Sequence, residues 1–208
     1  MLKRKLTTLC CWLFAWFITS AAMAQVNVVP QVGVNTANLR LNTYGSISIG
    51  LVPVASATDI WCMSGSASKT IIIHRLIISG TAGTAITTPV VILRRVSLDT
   101  GGTPATTTAL PVAGKYDSTN ATATSVLTAY TANPTIVDSS PTYLAAPAIS
   151  FPVTTGAIAP TEINFGGWPD PYDQGLVLRG AAQQVCLNLN AVSISSGVLA
   201  ISSEWTEQ

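Results

Sequence analysis

The stretch TIIIHRLIIS at residues 70–79 decides the fold class of this chain. Side chains alternate between the two faces of an extended strand, so a run that is apolar at both alternating sets buries both faces. Each face here receives three apolar side chains: Ile71, Ile73 and Ile77 on one, and Ile72, Leu76 and Ile78 on the other. The stretch therefore predicts the central strand of a buried sheet.

Similar stretches recur along the chain, rich in Val, Ile and Thr and separated by Gly, Pro, Ser and Asn, which is typical of short strands. They lie at residues 27–34, 46–54, 59–63, 90–98, 123–130, 162–165, 175–179, 183–190 and 198–205. The helix formers Glu, Lys and Arg are scarce. Many short strands without a helical segment predict an all-β fold, a single β-sandwich of jelly-roll type.

The composition excludes two classes of protein. Of the 208 residues, 48% are hydrophobic and only 9% are charged, which is the reverse of a disordered chain. The formal net charge is +1, whereas a protein that binds nucleic acid by neutralising phosphates carries a clear basic excess. We therefore expect a folded protein that does not bind nucleic acid.

The first 24 residues have the pattern of a secretory signal peptide. The basic tripeptide KRK at 3–5 precedes an apolar stretch at 9–18, and AMA at 22–24 provides a cleavage site before Gln25. An uncleaved N-terminal anchor is the alternative, although the apolar stretch is shorter than the roughly 20 residues that span a bilayer. Cleavage would leave seven basic and nine acidic residues. The sequence thus predicts an exported protein without a membrane span in the mature chain.

The mature chain divides into an N-terminal arm or added strands at 25–56 and a β-sandwich domain at 57–208. Two long connections interrupt the predicted strands: 99–122, which is rich in Thr, Gly and Ala, and 133–160, which contains repeated prolines. Connections of this length in a compact domain are usually functional surfaces, packed flaps or mobile segments.

Cys62 and Cys186 are the two cysteines that remain after cleavage. In an oxidising compartment an isolated pair predicts a disulfide, with two buried free thiols as the alternative. Cys186 alternates with the apolar Val185 and Leu187, so it falls on the polar face of its strand. The predicted disulfide is therefore a cross-strand link on the outside of a sheet.

Few residues could carry catalytic chemistry. His74 is the only histidine, and its apolar neighbours favour a hydrogen-bonded structural role over a nucleophile system. Paired carboxylates for glycoside hydrolysis would come from Asp138, Glu162, Asp170 and Asp173, which fit turn positions better. The sequence shows no metal-ligand cluster and no phosphate-binding loop. We therefore expect a protein that is not an enzyme and has no cofactor and no metal.

The segment FGGWPDPYD at 165–173 holds the candidate ligand-binding residues. Trp168 and Tyr172 can stack on a sugar ring, and Asp170 and Asp173 can accept hydrogen bonds from its hydroxyls. The alternative is that Trp168 is a plug that covers one end of the sandwich.

From about residue 57 onward, several short motifs carry a resemblance to a known family. They are ATDI at 57–60, SGSASKT at 64–70, ISGTA at 78–82, LRR at 93–95, AYTANP at 129–134, VLRG at 177–180 and EWTE at 204–207. In these the chain resembles a family of small β-rich structural proteins found among phage and phage-like gene products. The resemblance implies a virion-associated or surface structural domain rather than an enzyme.

Together these features predict an exported, non-catalytic β-sandwich that acts as a structural or surface-interaction subunit, in a virion-like or extracellular assembly. Its low charge favours self-association into a homo-oligomer, or association with another surface or virion protein, because little like-charge repulsion opposes packing. The alternative function is a carbohydrate-binding module that uses the aromatic loop around Trp168 and Tyr172.

Overall fold

The computed structural model describes residues 41–166, 174–194 and 196–208, which belong to one compact unit, Leu41–Gln208. Within these residues the secondary structure consists of fourteen β-strands and one 3-10 turn, Thr107–Ala109. The strands form two six-stranded antiparallel sheets and a two-stranded ribbon.

The first sheet is built around the predicted central strand. Its members are β1 (Asn42–Leu51), β3 (Thr70–Thr81), β7 (Val112–Lys115), β11 (Thr161–Asn164), β12 (Leu176–Arg179) and β14 (Val198–Glu207). They are arranged in the order β11-β3-β14-β1-β7, and β12 pairs with β3 next to β11. β3 thus has partners on both sides, as the sequence predicted.

The second sheet holds both cysteines. Its members are β2 (Asp59–Ser64), β5 (Val91–Arg95), β6 (Thr103–Pro104), β8 (Leu127–Ala132), β9 (Thr142–Ala145) and β13 (Gln184–Asn188), in the order β6-β8-β2-β13-β5-β9. The ribbon pairs β4 (Ile86–Pro89) with β10 (Ala148–Phe151).

The inner faces of the two sheets share one hydrophobic core. Its largest fully buried side chains include Trp61 from the second sheet and Tyr44 and Trp205 from the first. The rings of Tyr44 and Trp205 are stacked, with their centroids 5.6 Å apart. The predicted all-β sandwich is confirmed, whereas the jelly-roll connectivity stays a prediction.

The side chains of β3 do not alternate as expected for residues 70–79. Its register against β14 shifts at His74, which has no partner residue on β14. An extra residue of this kind reverses the alternation of the side chains that follow it. The side chains buried in the core are therefore Ile71, Ile73, Leu76 and Ile78. Ile77, expected on the face of Ile71, lies on the outer face instead.

The two long connections contain strands that the sequence did not predict. β6 and β7 lie in 99–122, and β9 and β10 lie in 133–160. β1, an interior strand of the first sheet, lies within residues 25–56, where the sequence predicted an arm or added strands. The strand expected at 27–34 lies outside the described residues. Within the described ranges, no helix is long and apolar enough to cross a membrane.

Candidate functional site

The predicted glycan-binding residues Trp168, Asp170, Tyr172 and Asp173 lie outside the described residues. The described chain that leads to them is fixed to β3. The backbone N–H of Phe165 donates to the carbonyl oxygen of His74 at 2.8 Å, and Nδ1 of His74 lies 3.3 Å from the carbonyl oxygen of Gly166. The aromatic loop therefore starts at a fixed point on the first sheet.

His74 has the hydrogen-bonded structural role that its apolar neighbours indicated. The side chain is buried, and its second ring nitrogen, Nε2, lies 3.1 Å from the hydroxyl of Thr206. With Nδ1 donating to the Gly166 carbonyl, Nε2 is the acceptor for this hydroxyl. Both ring nitrogens are thus occupied within the fold.

The structure does not bring Asp138 and Glu162 together as an acid–base pair. Asp138 follows β8 and accepts hydrogen bonds from the backbone N–H groups of Val96 and Ser140, and these bonds lower the pKa of its carboxyl. Glu162 is on the first sheet, where it lies 3.7 Å from the guanidinium of Arg75 at an exposed position. Both carboxylates are therefore engaged in local contacts in separate parts of the fold.

Cys62 and Cys186 form a disulfide between directly opposed residues of β2 and β13. It lies on the outer side of the second sheet, away from the main core, as the alternation around Cys186 predicted. Most of it is shielded from solvent by Leu93, Tyr130 and the segment that carries Asp99, and Cys62 borders a cavity. The exposed fractions are 3% for Cys62 and 0% for Cys186.

Next to the disulfide lies a buried group of charges, which we call the carboxyl–disulfide cluster: Asp59, Arg95, Asp99, Cys62 and Cys186. The Nε of Arg95 is 2.8 Å from Oδ2 of Asp59 and 3.6 Å from Oδ1 of Asp99. The side chains of all three charged residues are at most 3% exposed. One guanidinium thus faces two carboxyl groups in an environment that is nearly closed to water.

Burial and the neighbouring Asp59 change the ionisation of Asp99. Burial raises the pKa of its carboxyl to about 7, with a further upward contribution from the neighbouring Asp59. Its Oδ1 makes no hydrogen bond, and its Oδ2 lies 3.7 Å from Sγ of Cys62 and 4.0 Å from Sγ of Cys186. A carboxyl group that takes up and releases a proton near neutrality therefore borders both sulfur atoms.

The cluster opens into a cavity of about 490 Å³ on the outer side of the second sheet. Cys62, Asp99, Tyr130 and Gln184 line it together with the hydroxyl groups of several serines and threonines. The Nε2 of Gln184 is buried, and the Gln184 side chain contacts the carboxyl group of Asp99. A cavity with converging buried polar groups and a perturbed pKa has the properties of a functional site.

Metal binding by the cluster requires a change of state. The ligand atoms of Asp59, Asp99, Cys62 and Cys186 lie within 4.8 Å of one another. In the disulfide, however, the sulfur atoms are bonded to each other and are not thiolates, which are the form that binds metals. Arg95 already forms an ion pair with Asp59 at 2.8 Å and faces Asp99 at 3.6 Å. The oxidised cluster is thus an ion-paired group rather than a metal centre.

The raised pKa predicts that Asp99→Asn flattens the dependence of stability on pH. Because the folded-state pKa of about 7 exceeds the usual 3.8, the contribution of Asp99 is fully present below pH 3.8 and is lost as the pH rises through 7. The free energy of unfolding should fall by up to about 1.4 kcal/mol per pH unit in this range. Urea denaturation at pH 5 and pH 8 measures the difference, with the exposed Asp117→Asn as control. Equal slopes for wild type and Asp99→Asn would contradict the assignment.

A second surface stands out on the other sheet. We call it the outer apolar face, and it consists of Ile47, Ile49, Ile77, Val112 and Ala200. Ile47 is directly opposite Val112 on β7, and Ile49 is opposite Ala200 on β14. Ile47 is 55% exposed and Val112 is 66% exposed. Aliphatic side chains from four neighbouring strands thus lie on the outer side of the sheet, with Ser202 between Ile47 and Ile77.

One end of this face is a groove of about 510 Å³. Gly45 and Gly114 are opposite each other at its floor, and a Cβ on Gly45 would lie 2.8 Å from the ring of Tyr116. At its border the Nε of Arg75 donates to Glu204 at 2.7 Å. The groove therefore has an apolar wall and a charged border that includes the Arg75–Glu204 ion pair and Lys115.

Sequence reasoning missed the carboxyl–disulfide cluster. Asp59 and Asp99 were not among the candidates, since nothing in their local sequence indicates that a sheet brings them together. One signal was present: Arg95 ends an apolar strand, VILRR at 91–95, and a buried guanidinium needs a carboxylate partner.

Comparison with protein-family models, with curated proteins and with solved structures finds no match for this chain. Its function must therefore be argued from the two sites themselves.

Proposed function

We propose that this protein is an exported, non-catalytic β-sandwich that acts as a structural or surface-interaction subunit, and that it associates with further copies of itself through the outer apolar face. The observation that carries the proposal is the exposed row of Ile47, Ile49 and Val112 on the first sheet. Contiguous aliphatic side chains at a sheet surface are typical of a protein interface.

A second copy of the chain is the partner that the charges favour. Arg75 is paired internally with Glu204 and Glu162, so these charges add little repulsion between two identical faces, and Lys115 is the further cation at the groove. A two-fold contact brings the same surface patch of both copies together, and exposed aliphatic side chains on a sheet face favour such a contact. β7, at the end of the sheet order, also has no second strand partner among the described residues.

Export is the part of the proposal that places the assembly outside the cytoplasm. The signal-like first 24 residues support it, and the Cys62–Cys186 disulfide is compatible with an oxidising compartment. A virion-like or extracellular assembly, as the family resemblance implies, is the setting that we propose for such a subunit.

Substituting Ile47 with lysine should abolish self-association without unfolding the domain. The new charge would be buried between two copies in the assembly but stays in water in the monomer, where Ile47 is already 55% exposed. Sedimentation velocity on the exported protein measures the change. Wild type should sediment as a dimer or larger species and Ile47→Lys as a monomer.

Ile158→Lys is the matched control, because Ile158 is 51% exposed and lies outside the outer apolar face. This variant should associate like wild type. If all three proteins sediment as monomers, or if Ile47→Lys associates as well as wild type, the outer apolar face is not the interface.

A further inference from the structure

The charge of Asp99 is only partly compensated in the oxidised fold, because Arg95, 3.6 Å from its Oδ1, also pairs with Asp59 at 2.8 Å. The side chain of Asp99 is fully buried, its Oδ1 has no hydrogen-bond partner, and the nearest atoms to its Oδ2 include the two sulfurs at 3.7 and 4.0 Å. A disulfide sulfur has no hydrogen to donate. Unpaired buried polar groups are rare in native structures, and a redox or catalytic role is one of the recognised reasons for retaining them.

Reduction of the disulfide would give Oδ2 of Asp99 two hydrogen-bond donors. Each thiol has an S–H group that can donate to a carboxylate, and Asp99 Oδ2 is within sulfur hydrogen-bonding distance of both sulfurs. The cluster is therefore arranged for a state in which Cys62 and Cys186 are thiols.

We propose that the Cys62–Cys186 disulfide exchanges with external dithiols through the 490 Å³ cavity, and that Asp99 supplies and accepts the proton in this exchange. Of the two cysteines, Cys62 lines this cavity, whereas Cys186 is fully buried. An incoming thiolate therefore reaches Sγ of Cys62, and Cys186 is the leaving group.

The dithiol reduces the disulfide in two successive exchange steps. The thiolate forms a bond to Sγ of Cys62, the Cys62–Cys186 bond breaks, and the Cys186 thiolate takes the proton of the Asp99 carboxyl group. The second thiol of the reagent then loses its proton to the Asp99 carboxylate and attacks the mixed disulfide. Cys62 leaves as a thiolate and is protonated from water. The dithiol is oxidised to its disulfide, and the protein gains two thiols.

The charged and polar groups around Asp99 come from four strands. Asp59 on β2 opposes its ionisation, Arg95 on β5 favours it, and Tyr130 on β8 and Gln184 on β13 face it from the cavity. Asp99 is thus an acid at mildly acidic pH and an anion at mildly alkaline pH. As an acid it protonates the leaving Cys186, and as an anion it repels an approaching thiolate.

The rate of reduction by dithiothreitol tests this proposal on the exported full-length product without denaturant. Acid quenching, alkylation and mass measurement give the fraction reduced over time. We divide the observed rate by the concentration of dithiothreitol thiolate at each pH. The resulting second-order rate constant of the wild type should fall at least about tenfold between pH 6 and pH 8. Asp99→Asn should be at least about tenfold slower than wild type at pH 6 and show little dependence on pH.

Asp117→Asn, which makes the same substitution at an exposed turn, should match wild type at every pH. The proposal is overturned if Asp99→Asn follows the wild-type profile. It is also overturned if the wild-type rate does not depend on dithiothreitol concentration, because reduction then occurs only after the fold opens. Even if Asp99→Asn fails to fold, the dependence of the wild-type rate on pH and on dithiothreitol concentration tests the proposal.

Discussion

Replacing Cys62 and Cys186 together with alanine lowers the free energy of unfolding by roughly 4–5 kcal/mol. The disulfide joins residues separated by 124 positions in the sequence, and cross-linking so long a loop removes a large conformational entropy from the unfolded chain. Both cysteines lie on paired strands, β2 and β13. The conformational entropy of the folded state therefore changes little when the disulfide is absent. Urea denaturation of the two exported proteins measures the difference.

The reduced wild-type protein is the control for the lost bond, because it keeps both side chains. It should show most of the same loss of stability. A change below about 1 kcal/mol in both proteins would contradict the account, since the disulfide would then restrain neither the unfolded chain nor the pairing of β2 with β13.

Substituting Glu207 with glutamine should cost about 2–3 kcal/mol, the second largest effect that we expect. The carboxylate is 2% exposed and ties the end of β14 to the segment that leads into β8. It accepts the backbone N–H and the hydroxyl of both Thr124 and Ser125 at 2.8–3.1 Å, and Trp205 Nε1 at 3.2 Å. In glutamine an NH2 group replaces one of the two accepting oxygens, and this NH2 group would face the N–H and O–H donors of Thr124 and Ser125.

The same contacts predict a loss of stability in acid. Burial alone would raise the pKa of Glu207, but the hydrogen bonds from Thr124 and Ser125 outweigh it and hold the pKa below the usual 4.5. Stability from this group is therefore present above pH 4.5 and is lost as the pH falls through the folded-state pKa. Glu207→Gln should remove this part of the acid sensitivity in urea titrations at pH 3 and pH 6.

Glu162→Gln is the matched control, because Glu162 is exposed and forms only a 3.7 Å surface ion pair. We expect it to change stability by less than about 0.5 kcal/mol. If the two variants are equally stable, the hydrogen bonds of Glu207 do not hold the two sheets together.

The strands with a strong apolar pattern were predictable from the sequence. β3 and β14 were identified because each is long and carries many buried aliphatic side chains. β7 and β9 were missed, since VAGK and TYLA are only four residues long and too short to show an alternating apolar pattern. Both are short edge strands, and their neighbours in the sheet rather than their own residues determine their conformation.

The candidate site was predictable only in part. Alternation around Cys186 was sufficient to place the disulfide on the outer side of a sheet, because strand periodicity is a local property. The approach of Asp99 to Asp59 depends on a turn after β5 and on the pairing of β5 and β2 with β13. No local sequence pattern predicts this approach of the two carboxyl groups. The register shift at His74 is likewise visible only when β3 is paired with β14.

The absolute mass of the exported protein in solution, measured by light scattering after size exclusion, tests the central claim most directly. The outer apolar face predicts a dimer or a larger species, with a mass that is a whole multiple of the mature chain. A mass equal to one chain, unchanged as the concentration is raised, would contradict the proposal that this protein is a self-associating structural subunit.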